Sequence, residues 1–269
     1  MTENTSSAGL FSAASVALGE AATDAKLRLT HALKIAWSVG GLQRKACTVL
    51  AADCVGRPSN PRLVHPREMP RRGLGSAHGR IRMMHAIAHI EFNAINLALD
   101  AVQRFQSMPD AYYRDWLQVA DEEAKHFAMI RDWLRSQGSD YGAFDAHNGL
   151  WEMAEKTTDD VLERMALVPR VLEARGLDVT PGIIEKLRQA GQMDIVAILQ
   201  VIYQEEIGHV KIGNRWFRHV CAERDLEPEA TFFTLLKKHF PNGLHGPFNL
   251  DARRDAGFSE SELALLNEE

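Results

Sequence analysis

Two stretches of the chain share one pattern: DEEAKHF carries Glu123 and His126, and YQEEIGHV carries Glu206 and His209. Residues three apart on an α-helix differ by about 300 degrees, so each pair leaves nearly the same face and can offer a carboxylate and an imidazole to one metal ion. A single Glu-x-x-His is ordinary on a solvated helix, and Glu122 and Glu205 beside these pairs read that way. The two pairs differ from chance in their phase. Helical stepping gives Tyr112, Trp116, Val119, Glu123, His126, Ile130 and Trp133 in one segment, and Ile195, Leu199, Ile202, Glu206, His209, Gly213 and Trp216 in the other. Both polar pairs therefore sit in stripes that should face a bundle interior.

Two further segments each place one acid in such a stripe. Met84, Ala88, Glu91, Ile95, Ala98, Val102 and Phe105 form the first, and Leu162, Ala166, Pro169 and Glu173 the second. Glu163 lies on the latter segment too, but steps to Leu167, Arg170 and Ala174, a less apolar seam. Pro169 should kink this helix just before Glu173, and Gly176 is a candidate C-cap. Two Glu-x-x-His pairs plus one glutamate from each of two other helices make the known ligand set of di-iron and di-manganese bundles. Four carboxylates (Glu91, Glu123, Glu173, Glu206) with neutral His126 and His209 carry a charge that two divalent cations neutralise. Uncompensated, each buried carboxylate would cost several kcal/mol. Oxygen and imidazole donors without thiolate suit iron or manganese and argue against an iron–sulfur centre.

The elements that must hold these residues are helical. Patterns run from about Arg80 to Gln106, Asp110 to Ser136, Thr158 to Arg175 and Pro181 to Glu223, the last with a break near Gly191. Thr23 and Asp24 could cap an additional N-terminal helix through Leu29, Leu33 and Trp37. The connector from Gly56 to Gly79, rich in Pro, Gly and Arg, excludes regular helix or central strand and should lie over the bundle surface. A loop over GSDYGAFDAHNGLWEMAEKT and a tail over HFPNGLHGPFNLDARRDAGFSESEL complete the outline. The reading is an all-α four-helix bundle with an additional N-terminal helix and wrapping segments. Residues 1–22 form a flexible lead, 23–258 one domain with its metal-binding core at about 80–223, and 259–269 a tail.

Composition sets outer bounds. With 45% hydrophobic residues among 269, the chain can bury a sizeable core. Cys47, Cys54 and Cys221 are too few and scattered for a disulfide framework or thiolate zinc site, which points to a reducing cytoplasm. The N-terminal stretch lacks a basic leader, and no uncharged apolar run approaches the roughly 18 residues of a membrane span. A net charge of −5, with arginines concentrated between Arg62 and Arg82, disfavours nucleic acid as the main partner.

The segments HAIAHIEFNAINLALD, DWLQVADEEAKHF, VPRVLEARGLDVTP, YQEEIGHVKIGNRWF and GPFNLDARRDAGF, with RPSNPRLVHP, carry a resemblance to the ferritin-like superfamily. More narrowly, the chain resembles the bacterial and fungal family designated domain of unknown function 455, over most of the span from Lys26 to Phe258. The ligands this resemblance implies fall on the six positions above, none missing. It implies a fold and metal chemistry but no substrate; a tRNA hydroxylase acting on an isopentenyl adenosine is similar only at the level of fold.

The expected activity is that of a dinuclear iron protein, manganese being the alternative metal, that activates dioxygen to oxidise or hydroxylate a small organic molecule. Glu123 and Glu206 would bridge the metals, Glu91 and Glu173 would be terminal ligands, and His126 and His209 would bind one metal each. No flavin or nicotinamide fingerprint is present, so electrons would come from a partner protein or the substrate. Iron storage or sensing, and a structural bundle without metal, are the rival readings. Around the six, His85 and His89 read as core or interhelical hydrogen-bonding residues, since His89 stands about 200 degrees from Glu91. Tyr203 reads as packing, and Gly208 as a close helix approach or room for a substrate. His245, Asn249, Arg253 and Arg254 would either form a pocket or wrap the bundle.

Overall fold

The computed structural model describes residues 9–69 and 73–268. It is all-helical: among the described residues, β-pairing is limited to isolated bridges at Gly9–Gln43 and Leu63–Ala146. The chain divides into two compact units, one through Trp151 and the other from Glu152, and α5 (Gly149–Lys156) carries the division.

The first unit is built on α3 (Ala77–Arg104) packed along α4 (Asp110–Ser136), with α1 (Leu10–Gly19) against α3 and α2 (Thr23–Ser38) against α4. Ser76 starts α3 by accepting from the Gly79 amide at 3.0 Å. Gly79 must be glycine, because a Cβ there would lie 1.8 Å from the Gly73 carbonyl. α4 ends in a Schellman turn: Gly138, at φ +73°, donates to Arg135 O at 3.0 Å and Ser139 to Leu134 O at 2.9 Å. All of the expected α3 seam, from Met84 to Phe105, is buried.

Several expectations change here. Residues 10–19, assigned to a flexible lead, are a helix whose Leu10, Phe11, Ala14 and Leu18 are buried; residues 1–8 of that lead lie outside the described residues. Leu10, Phe11, Ala14, Ala17 and Leu18 recur at helical spacing in LFSAASVALG and supply its packing face. Thr23 and Asp24 do not cap α2. They accept instead from Arg131 on α4. The 56–79 connector is irregular apart from a short turn at Pro66–Glu68 and the first residues of α3, its residues 70–72 lying outside the described residues.

Lys26 ties α1 and α2 to α3. It is fully buried, and its ammonium donates to Ala17 O at 3.1 Å, Leu18 O at 2.7 Å and Asn96 Oδ1 at 2.7 Å. The two carbonyls lie in the last turn of α1, where intrahelical donors run out; Ala17 O also accepts from Glu20 N at 3.4 Å and Leu18 O from Gly56 N at 2.9 Å. Burial pulls the Lys26 pKa down to about 7.

In the second unit α6 (Val161–Leu167) passes through a π-helical turn (Val168–Glu173) into α7 (Ala174–Gln189); α8 (Met193–Glu223) packs against all three. The helix does not stop at Gly176. It runs on through Pro181, whose missing N–H would orphan the Leu177 carbonyl; Asn249 Nδ2 donates to that carbonyl at 3.2 Å. The break expected near Gly191 is present, with Gly191 at φ +70° and Gln192 N donating to Leu187 O at 2.9 Å.

Beyond α8 comes α9 (Pro228–His239), a helix between the expected fourth pattern and the tail; the tail itself is more helical than its Pro and Gly content suggested, forming α10 (Leu250–Asp255) and α11 (Glu260–Glu268). Leu263 and Leu266 bury one face of α11, which occupies residues 260–268 of the segment assigned to a tail. Arg253 makes a two-pronged pair with Asp178 at 2.9 and 2.7 Å, both buried, so the 246–258 segment is strapped to α7. This favours the wrapping role for Asn249 and Arg253, while Arg254 pairs at the surface with Glu260 and Asp251.

Lys26→Met should lower stability by about 2 kcal/mol, since it strips the buried Asn96 Oδ1 of its donor, while Leu18 O and Ala17 O keep the Gly56 and Glu20 amides. A urea midpoint equal to that of the wild type would contradict this role.

Candidate metal centre

In the first unit α3 contributes Glu91 and α4 contributes Glu123 and His126, at 3%, 0% and 0% exposure. One ligand atom from each lies within 4.8 Å of the others. His126 Nδ1 is 3.2 Å from Glu91 Oε2 and 3.5 Å from Glu123 Oε2. Burial works against charge on the ring, but the carboxylates of Glu123 and Glu91 overcome it and raise the His126 pKa to about 11. A buried point that draws a proton onto imidazole this strongly is a point that favours a cation. The donors fit a hard or borderline divalent metal, which would take the proton's place on His126.

The second unit carries the other three expected ligands. On α8, His209 Nδ1 lies 3.6 Å from Glu206 Oε2; His209 is buried and Glu206 half-buried. Glu173, also half-buried, is the last residue of the π-helical turn. The kink expected at Pro169 is thus taken up by a wider turn, which changes the direction in which the residues after it project. Glu163, the alternative on this segment, is engaged elsewhere: Lys238 Nζ donates to it at 2.6 Å, and His239 Nε2 lies 3.0 Å from its second oxygen.

The π-helical turn is held from two sides. Pro169 presses on α8 at Gly213, where an added Cβ would fall 2.3 Å from Pro169 Cβ. Arg170 points the other way into a cage of Phe217, Phe232 and Phe258, with its guanidinium carbon 4.3, 3.9 and 5.0 Å from the three ring centroids. It also pairs with buried Glu262 of α11. Burial lowers the Arg170 pKa to about 10 against the opposing pull of Glu262. Sequence reasoning placed Arg170 only in the seam of Glu163; the signal was a lone arginine inside the apolar run from Ala166 to Leu172, three residues before Glu173.

His85 and His89 are buried hydrogen-bonding residues, as expected, but they bond to a loop and not to a neighbouring helix. His89 Nδ1 is 2.8 Å from Tyr141 OH and its Nε2 3.0 Å from His147 O, while His85 Nε2 accepts from Gly142 N at 2.9 Å. Together they hold the 138–148 loop on α3. Tyr203 OH accepts from Asn249 Nδ2 at 3.0 Å, more than packing alone. Gly208 is no close helix approach: a Cβ there would meet no atom within 4 Å.

The family described as protein of unknown function (DUF455) matches residues 19–264, nearly the whole chain. The chain belongs to the DUF455 family. A relative from Haemophilus influenzae, named only as an uncharacterized protein, is 47% identical over 218 residues, covering 78% of this chain and 76% of that one. No solved structure matches. The six expected ligand positions all lie inside the DUF455 match. Among the described residues no helix is long and apolar enough to cross a membrane.

Two glycines of α8 should respond in opposite directions. Gly213→Ala forces Pro169 and the π-helical turn away and should cost about 1–3 kcal/mol. Gly208→Ala meets open space and should add about 0.5–1 kcal/mol. Thermal melting of both variants checks the pair; a neutral Gly213→Ala would remove the close contact from the account.

Proposed function

We propose that this DUF455 protein is a dinuclear metal carboxylate protein, with iron as the resident metal and manganese as the alternative, that oxidises or hydroxylates a small organic substrate with dioxygen. The observation that carries the reading is the buried Glu91, Glu123 and His126 cluster, whose carboxylates push His126 up to about 11 and so favour a cation at that point. Glu173, Glu206 and His209 repeat the same donor set on the second unit. In this proposal α3, α4, the α6–α7 segment and α8 close as one ferritin-like four-helix bundle and one domain, with the six side chains sharing two metals.

Such a metal pair, when bound, supplies electrons and open coordination positions to dioxygen. The chain's own part is to hold the donors. Glu123 and Glu206 would be the carboxylates shared by the two metals, Glu91 and Glu173 would each serve one, and His126 and His209 would bind one metal each. Burial excludes water from Glu91, Glu123 and His126, which strengthens their hold on a cation. Electrons come from a partner protein or from the substrate, since the sequence carries no flavin or nicotinamide fingerprint.

Iron content after anaerobic ferrous loading, and again after aerobic loading, tests the reading. About two irons per chain under both conditions, with oxygen consumed on exposure, is the expected result. The double variant Glu123→Ala, His126→Ala should lose most of this iron. Uptake of many irons per chain in air would indicate storage instead, and equal metal content in the variant would remove the centre from these residues.

A further inference from the structure

A second feature of the first unit has no part in the metal chemistry. A cleft of about 340 Å³ opens between the 57–63 segment and α3, lined by Arg57, Ser59, Arg62, His89, Phe92 and Tyr141 among others. Its volume falls within the range of small-molecule sites, roughly 300–1,000 Å³. Its walls combine two kinds of surface. Phe92 and Tyr141 lie 5.4 Å apart between ring centroids and give a flat apolar side. Arg57 and Arg62 give a cationic side.

Arg57 is fixed in place. Its Nη1 donates to Asn148 Oδ1, and its guanidinium lies 5.5 Å over the Trp151 ring. Stacking on an aromatic face restricts an arginine without neutralising it. Its charge reaches the groups around the cleft. Burial is the main influence on both Tyr141, which it raises, and Lys26, which it lowers; Arg57 favours the uncharged amine of Lys26 and the ionised form of Tyr141. Arg62 makes a two-pronged pair with Asp145, Nε to Oδ1 at 3.2 Å and Nη2 to Oδ2 at 2.6 Å, an exposed pair of the kind that an incoming carboxylate can compete for.

We propose that this cleft binds a small organic anion, a carboxylate carried on a flat aromatic or unsaturated body. Arg57 and Arg62 receive the carboxylate, in the forked geometry that guanidinium offers, and the Phe92 and Tyr141 rings cover the body. The proposal stands apart from the metal reading, because none of the six metal-ligand candidates lines the cleft.

Isothermal titration of the full chain with benzoate, benzyl alcohol and inorganic phosphate tests it, on protein prepared with and without added iron. Benzoate should bind saturably with a Kd of about 1 mM or tighter in both preparations, and benzyl alcohol and phosphate each about tenfold more weakly. Arg62→Gln, at an exposed site that leaves the fold intact, should weaken benzoate about tenfold. Arg57→Gln, checked for folding by its melting curve, should weaken it at least as much. Absence of saturable benzoate binding, benzyl alcohol or phosphate binding as tight as benzoate, or benzoate affinity unchanged in Arg62→Gln would each overturn the proposal. Benzoate binding with no iron bound would leave it standing while the metal reading failed.

Discussion

Glu91, Glu123 and His126 bring two carboxylates and an imidazole to one buried point, and negative charge removed from water there costs several kcal/mol unless a cation answers it. That constraint explains why the imidazole, which burial alone would keep neutral, is held strongly toward the charged form. α3 is buried over most of its length, so its acid cannot turn to solvent, and α4 fixes its own Glu-x-x-His pair between Val119 and Ile130. A stable fold with this cluster needs positive charge at its centre.

The chain meets burial of charge in the same manner elsewhere. Lys26 enters the core because two carbonyls at the end of α1 and Asn96 use its three protons. Arg170 enters because three aromatic faces and Glu262 surround it. Arg253 enters with Asp178. Each cation ties a distant segment to the helix it sits on, and in the second unit Arg170 and Arg253 do this for α11 and α10. The wrapping segments are therefore fastened chiefly by buried ion pairs and ring contacts.

Much of this was legible in the sequence. The seams of α3 and α4 came from period alone, because long helices with one apolar stripe leave a strong signal, and Asp110 to Ser136 emerged with its boundaries intact. Glu-x-x-His in phase with those seams singled out Glu123 and His126. What stayed hidden depended on partners far along the chain. Pro181 argues for a helix end unless Asn249, nearly seventy residues later, takes the orphaned carbonyl. The π-helical turn at Val168–Glu173 needed Gly213 on another helix to make room for Pro169. The N-terminal α1 lacked a cap and charged residues, so its small apolar composition read as a flexible lead.

X-ray absorption at the iron K-edge of the iron-loaded protein addresses the central claim most directly. A first shell of oxygen and nitrogen without sulfur, together with an iron neighbour at about 3–4 Å, is the result this account predicts. Iron with sulfur ligands, or with no second metal in range, would contradict a dinuclear carboxylate centre in this DUF455 chain.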